Sequence, residues 1–106
     1  MNLYYRLDEQ HNAIPCSLEE YALQYQPDDP YKRHVGDDTV EGIRISTVFL
    51  GIDHRLGYGV PILFETMIFG GVHDDYQERY CTWIEALAGH KRAVELVNET
   101  LNNKQL

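Results

Sequence analysis

Two cysteines, Cys16 and Cys81, are all that this chain of 106 residues contains, and they stand far apart with no Cys-x-x-Cys partner. A zinc knuckle and a dithiol redox motif are therefore excluded, and both are expected to be reduced thiols. No apolar run approaches the roughly 18 residues that a membrane span needs. The opening Met1-Asn2-Leu3-Tyr4-Tyr5-Arg6 also lacks the charged and apolar regions of a secretory leader. The expectation is a cytoplasmic chain without membrane attachment. Basic residues are few, nine against seventeen acidic ones, for a net charge of −8. Phosphate backbones and anionic lipids are held by clustered Lys and Arg, so general nucleic-acid binding is excluded. No five like charges run together, which favours plain solubility over imitation of nucleic acid. Repeats, low-complexity tracts and linkers are missing as well, and one domain over 1–106 follows.

What is present is a pair of β-rich runs. Ile43-Arg44-Ile45-Ser46-Thr47-Val48-Phe49-Leu50-Gly51 is answered by Pro61-Ile62-Leu63-Phe64-Glu65-Thr66-Met67-Ile68-Phe69-Gly70-Gly71. Both are rich in β-branched and aromatic residues and both end in glycine, which predicts two long antiparallel strands. Leu3 to Asp8 predicts a short first strand. Ser17-Leu18-Glu19-Glu20 is a capping box that opens a helix at Leu18, striped by Leu18, Tyr21, Ala22 and Tyr25 and stopped by Pro27. Tyr31 to Val35 reads as a strand turning at Gly36-Asp37-Asp38 into the first long run. Tyr76 to Cys81 alternates charge and tyrosine and suits an edge strand. Thr82-Trp83-Ile84-Glu85 is a second capping box, and its helix carries the stripe Trp83, Leu87, His90, Val94, Val97 and Leu101 to about Asn98 or Leu101. The sum is an α+β domain: an antiparallel sheet of about four to five strands with two helices packed on one face.

Candidate site residues fall in three places. Glu65 is the single charge of an apolar strand and needs a partner, since a buried unpaired carboxylate costs several kcal/mol or stays protonated. Opposite Thr47 or opposite Ser46 are the two open registers. The second sets Arg44 diagonal to it for an ion pair on the solvent face, and otherwise Glu65 is a pocket carboxylate that anchors a ligand. His90 is either a satisfied core histidine or a general base, and Gly89 beside it suggests close approach of another element. The loop Gly51 to Val60 holds Asp53, His54, Arg55 and Tyr58 among three glycines. Backbone amides, a guanidinium and a stacking ring there suit a phosphate or nucleotide, against the alternative of an ordinary hairpin tip. It is not a Walker loop, because no Lys-Ser/Thr follows and a strand rather than a helix comes next.

Asp53 and His54 stand about 27 Å from His73, Asp74 and Asp75 along the strand pair, so they form no joint metal site. Only a small site at His73 and Asp74 remains open, and no metal or cofactor is expected. Ser46 and Cys81 have no nucleophile elbow or base at motif spacing. Eight tyrosines suit half-buried rims and interfaces, with Tyr76 and Tyr80 on the edge strand as dimer contacts.

The strings Ile45 to His54, Pro61 to Gly70, Tyr80-Cys81-Thr82-Trp83 and Ala88-Gly89-His90 resemble a family of small uncharacterised proteins of bacteriophages and prophages, over roughly residues 3 to 97. The resemblance implies a setting in the host cytoplasm, where small accessory proteins occupy a host protein or sequester a signalling molecule. The expected function is thus a non-enzymatic binding module that self-associates, with Arg44, Asp53, His54, Arg55, Tyr58, Glu65 and His90 as candidate ligand or partner residues. Its partner would be a small nucleotide or a host defence protein. A small hydrolase or nuclease using His54 or His90 with a carboxylate, and a virion assembly protein, are the alternatives.

Overall fold

The computed structural model describes residues 3–24, 33–55 and 59–103. Strands β1 (Tyr5–Leu7) and β2 (Ala13–Pro15) form a small hairpin, followed by helix α1 (Leu18–Leu23). Strands β3 (His34–Val40), β4 (Ile43–Phe49), β5 (Phe64–Phe69) and β6 (Gln77–Tyr80) then form an antiparallel sheet in sequential order, and helix α2 (Trp83–Asn103) lies across it. This is the expected α+β architecture. The first capping box is made in full, and at the second Thr82 caps the helix while its hydroxyl donates to the Glu85 carboxylate at 2.9 Å. Ser17 Oγ accepts from the Glu20 amide at 3.1 Å, and Thr82 Oγ1 accepts from the Glu85 amide at 3.2 Å. Each engages an otherwise orphan N–H and fixes where its helix starts.

The helices divide the work differently from the expectation. Of the two described helices α2 packs on the main sheet, whereas α1 contacts β1, tied by Gln24 Nε2 donating to Tyr5 O at 2.9 Å. Strand β1 is likewise not part of the main sheet. It joins the stretch after β4 through Tyr5 N to Gly51 O at 2.8 Å and Asp53 N to Leu3 O at 3.1 Å. Tyr25, Pro27 and Tyr31, which carried part of the expected first helix and third strand, lie outside the described residues.

The turn expected at Gly36-Asp37-Asp38 is also displaced. Those residues run inside β3, and the chain reverses at Glu41-Gly42, where φ is 48° and 81°. Two successive positive φ values make a two-residue turn whose twist matches the flanking strands. Gly36 instead serves the helix packing. It stands opposite Thr47, and a Cβ there would lie 2.6 Å from the His90 ring.

On α2 the buried face is Ala86, Gly89, His90, Ala93 and Val97, and Leu87 from the expected stripe is 46% exposed. The sheet supplies the bulk, with Phe49, Phe64, Ile45 and Ile68 all fully buried, so the helix turns its small residues inward and sits close. Two apolar clusters result. One gathers Tyr5, Phe49, Leu63, Phe64, Tyr80 and Ala86, and the other Ile45, Ile68, Ala93 and Val97.

Candidate functional site

A polar row runs between those two clusters. Thr47 and Thr66 face one another across β4 and β5, with Oγ1 atoms 2.5 Å apart. The Tyr80 hydroxyl donates to Thr66 Oγ1 at 2.9 Å, and His90 Nδ1 lies 2.7 Å from Thr47 Oγ1. His90 Nε2 meets Asp38 Oδ2, also at 2.7 Å. One proton order satisfies every member: Tyr80 donates to Thr66, Thr66 to Thr47, Thr47 to Nδ1, and Nε2–H to Asp38. In that order Nδ1 accepts and Nε2 donates. Burial pushes the Tyr80 phenol upward, so it stays a donor through the neutral range.

Asp38, His90 and Thr47 stand in the order carboxylate, imidazole, hydroxyl that nucleophilic hydrolases use. Exposure separates the two cases. Thr47 is 0% exposed beneath α2, so no substrate carbonyl reaches its hydroxyl. The Asp38 carboxylate is 56% exposed and forms the solvent end of the row. His90 thus joins surface to core as a satisfied core histidine, and its two ring nitrogens are both engaged.

Glu65 has a partner, though not the one expected. Neither open register forms: Glu65 stands opposite Val48 on β4 and opposite Arg79 on β6. Its Oε2 accepts from Arg79 Nε at 2.8 Å and Gln77 Nε2 at 2.6 Å, on the sheet face away from α2. Placing it opposite Thr47 would turn the carboxylate into the core. Placing it opposite Ser46 would set Phe64 against Thr47 and break both the Phe49–Phe64 and Thr47–Thr66 pairs. Arg44 pairs instead with Asp37 by two parallel bonds of 3.0 and 2.9 Å. That guanidinium holds the Asp37 carboxyl below its usual range.

In the loop after β4, Asp53 Oδ1 accepts from the amides of Arg55 at 2.9 Å and Ile62 at 3.1 Å, and Oδ2 lies 2.6 Å from Arg55 Nε. Arg55 also donates to Gly59 O. Both residues are engaged in closing the loop. His54 is held there by its amide, which donates to Ile62 O at 3.0 Å, and Tyr58 lies outside the described residues. Arg44, Glu65, His90 and the Asp53–Arg55 pair therefore sit in separate networks and form no common site. His73 and Asp74 are engaged too, by Thr100 at 2.8 Å and the Gly70 amide at 2.6 Å. Tyr80 faces α2 and is buried, so it makes no dimer contact from the edge. Among the described residues no three His, Cys, Asp or Glu side chains converge as metal ligands. Burial pushes both thiols, Cys16 and Cys81, above their ordinary range, which makes them poor nucleophiles.

Sequence reasoning passed over the surface that has room for a ligand. The β1–β2 turn is built on Asp8, whose Oδ1 accepts from the amides of Gln10 at 2.9 Å and Asn12 at 2.8 Å. Those backbone donors hold its carboxyl below the usual range. The turn carries His11 at a φ of 66° and lays its imidazole on Trp83, the first residue of α2, with ring centroids 3.9 Å apart and planes 7° apart. Two hollows adjoin this stack. One of about 740 Å³ is lined by Arg6, Glu9 and Glu20 among others, and one of about 430 Å³ by Val60, Pro61 and Ile84 among others. His11 and Trp83 line both. A lone tryptophan beside a capping box was the available signal. The partner that stacks on it comes from 72 positions earlier, which no local pattern reveals.

Set beside known proteins, the chain matches no family model, no curated protein and no solved structure. Its function is therefore argued from its own geometry.

Proposed function

We propose that this chain is a non-catalytic binding module that holds a small ligand or a host protein without turning it over. One observation carries the reading: the carboxylate–imidazole–hydroxyl row found among the described residues ends on a hydroxyl that is 0% exposed, while the open space lies elsewhere, around Trp83. The carboxylates of Asp53 and Glu65 are engaged by backbone amides and arginines. The resemblance to phage and prophage proteins favours an accessory role in a host cell. Counter-defence by sequestering a nucleotide signal is its most concrete form, and occupation of a host immune protein by a self-associated copy is the second. A net charge of −8 supports a discrete ligand over general nucleic-acid affinity.

Native mass spectrometry of protein purified from a bacterial host, before and after a panel of mono-, di- and cyclic nucleotides, tests this. A stoichiometric adduct released unchanged on denaturation, or a co-purified protein in fixed ratio, is the expected result. Conversion of any nucleotide to product, abolished by His54→Ala, would overturn it in favour of a hydrolase.

A further inference from the structure

We propose that the face of Trp83 now covered by His11 is a binding site for a planar heteroaromatic ring carrying a single negative charge, a nucleoside monophosphate diester being the type. This rests on the binding-module reading and gives it a site. Three observations carry it. The first is the stack itself: a nearly parallel imidazole at 3.9 Å shows that the indole face accepts a flat nitrogen heterocycle. His11 is an exposed turn residue, whereas Trp83 is half-buried and braced edge-on by Phe64 at 6.3 Å. The imidazole can therefore swing away while the indole stays in place.

The second is space. Hollows of about 740 and 430 Å³, within the range of small-ligand sites, share this ring pair in their linings. The third is charge. Arg6 lines the larger hollow and gives Glu20 only its Nε, at 3.1 Å, so among the described residues its terminal nitrogens are available to an anionic oxygen. The carboxylates there limit the ligand's charge. Glu20 is paired with Arg6, but Asp8, kept ionised by its turn amides, and Glu9 remain, on a chain of net charge −8. A triphosphate would meet that repulsion four times over, and a monoanion once.

Trp83 is the only tryptophan, so its fluorescence reports this site directly. Full-length protein is titrated with 3′,5′-cyclic AMP, with ATP, adenosine and inorganic phosphate as comparisons. Saturable quenching by cyclic AMP, weaker for ATP and absent for phosphate, is expected. Arg6→Ala should weaken cyclic AMP about tenfold and leave adenosine unchanged, as loss of one charged hydrogen bond predicts. His11→Ala should tighten both ring ligands about two- to tenfold by removing the competing stack. Both residues make exposed contacts, so both variants fold. No saturable quenching in wild type or His11→Ala overturns the site. A nucleotide adduct seen by mass with Trp83 emission unaltered also overturns it, while leaving the binding-module reading in place.

Discussion

Gly36 and His90 are in direct contact: the missing side chain of one is the seat of the other's ring. A Cβ built on Gly36 would lie 2.6 Å from Cδ2 and Nε2 of the imidazole, inside any real carbon contact. The ring cannot retreat without giving up Asp38 and Thr47, each at 2.7 Å.

Gly36→Ala is therefore expected to destabilise the protein by about 1–3 kcal/mol, the usual range for overpacking. Strand propensity alone favours alanine over glycine, so the sign decides. Urea unfolding monitored by circular dichroism gives it, and an unchanged or raised midpoint would remove the close-packing account.

Gly89→Ala gives the same test on the helix. In an open helix interior this change stabilises by about 1 kcal/mol. Here the new Cβ overlaps the Tyr80 phenol. Destabilisation is expected, relieved in part by a second change, Tyr80→Leu, that clears the ring. Additive losses in the double variant would show that the two positions do not meet.

Thr47→Val leaves His90 Nδ1 without its donor, and Thr66→Val leaves the Tyr80 hydroxyl without its acceptor. Each should cost about 1–3 kcal/mol. Because the hydroxyls also bond one another at 2.5 Å, the double variant should lose clearly less than the sum. A strictly additive cycle would break the row into independent bonds.

Alkaline stability should follow Tyr76. Burial first, and then the Glu78 carboxylate that accepts its hydroxyl proton at 2.5 Å, push this phenol up to about 12. An unfolded tyrosine ionises near about 10. Below that pH both states are neutral and the contribution is intact. Above it the unfolded chain ionises first, so stability falls as pH rises from about 10 to the folded value. Tyrosinate absorbance with parallel unfolding curves should show this loss, and Tyr76→Phe should shrink it. An identical alkaline profile for the variant would rule out Tyr76 as the cause.

Local chemistry was legible in the sequence wherever a signal spans a few residues. Ser17 with Glu20 and Thr82 with Glu85 fixed two helix starts, because an N-cap hydroxyl accepts from an amide three positions on. The β-branched and aromatic residues of Ile43 to Phe49 and Phe64 to Phe69 gave the central strand pair, because such side chains suit a pleated, half-buried surface. Register was decided only by the fold. Arg79 rather than Arg44 neutralises Glu65 because the Phe49–Phe64 and Ile45–Ile68 pairs must both face α2, and that requirement spans three strands at once. The rotation of α2 was settled by volume: bulky residues on the sheet drew Ala86, Gly89 and Ala93 inward, with His90 and Val97 buried beside them. His90 read as core or catalyst from sequence, and the depth of Thr47 made it core. The stack of His11 on Trp83 joins positions whose separation no periodicity encodes, and only the folded chain brings them together.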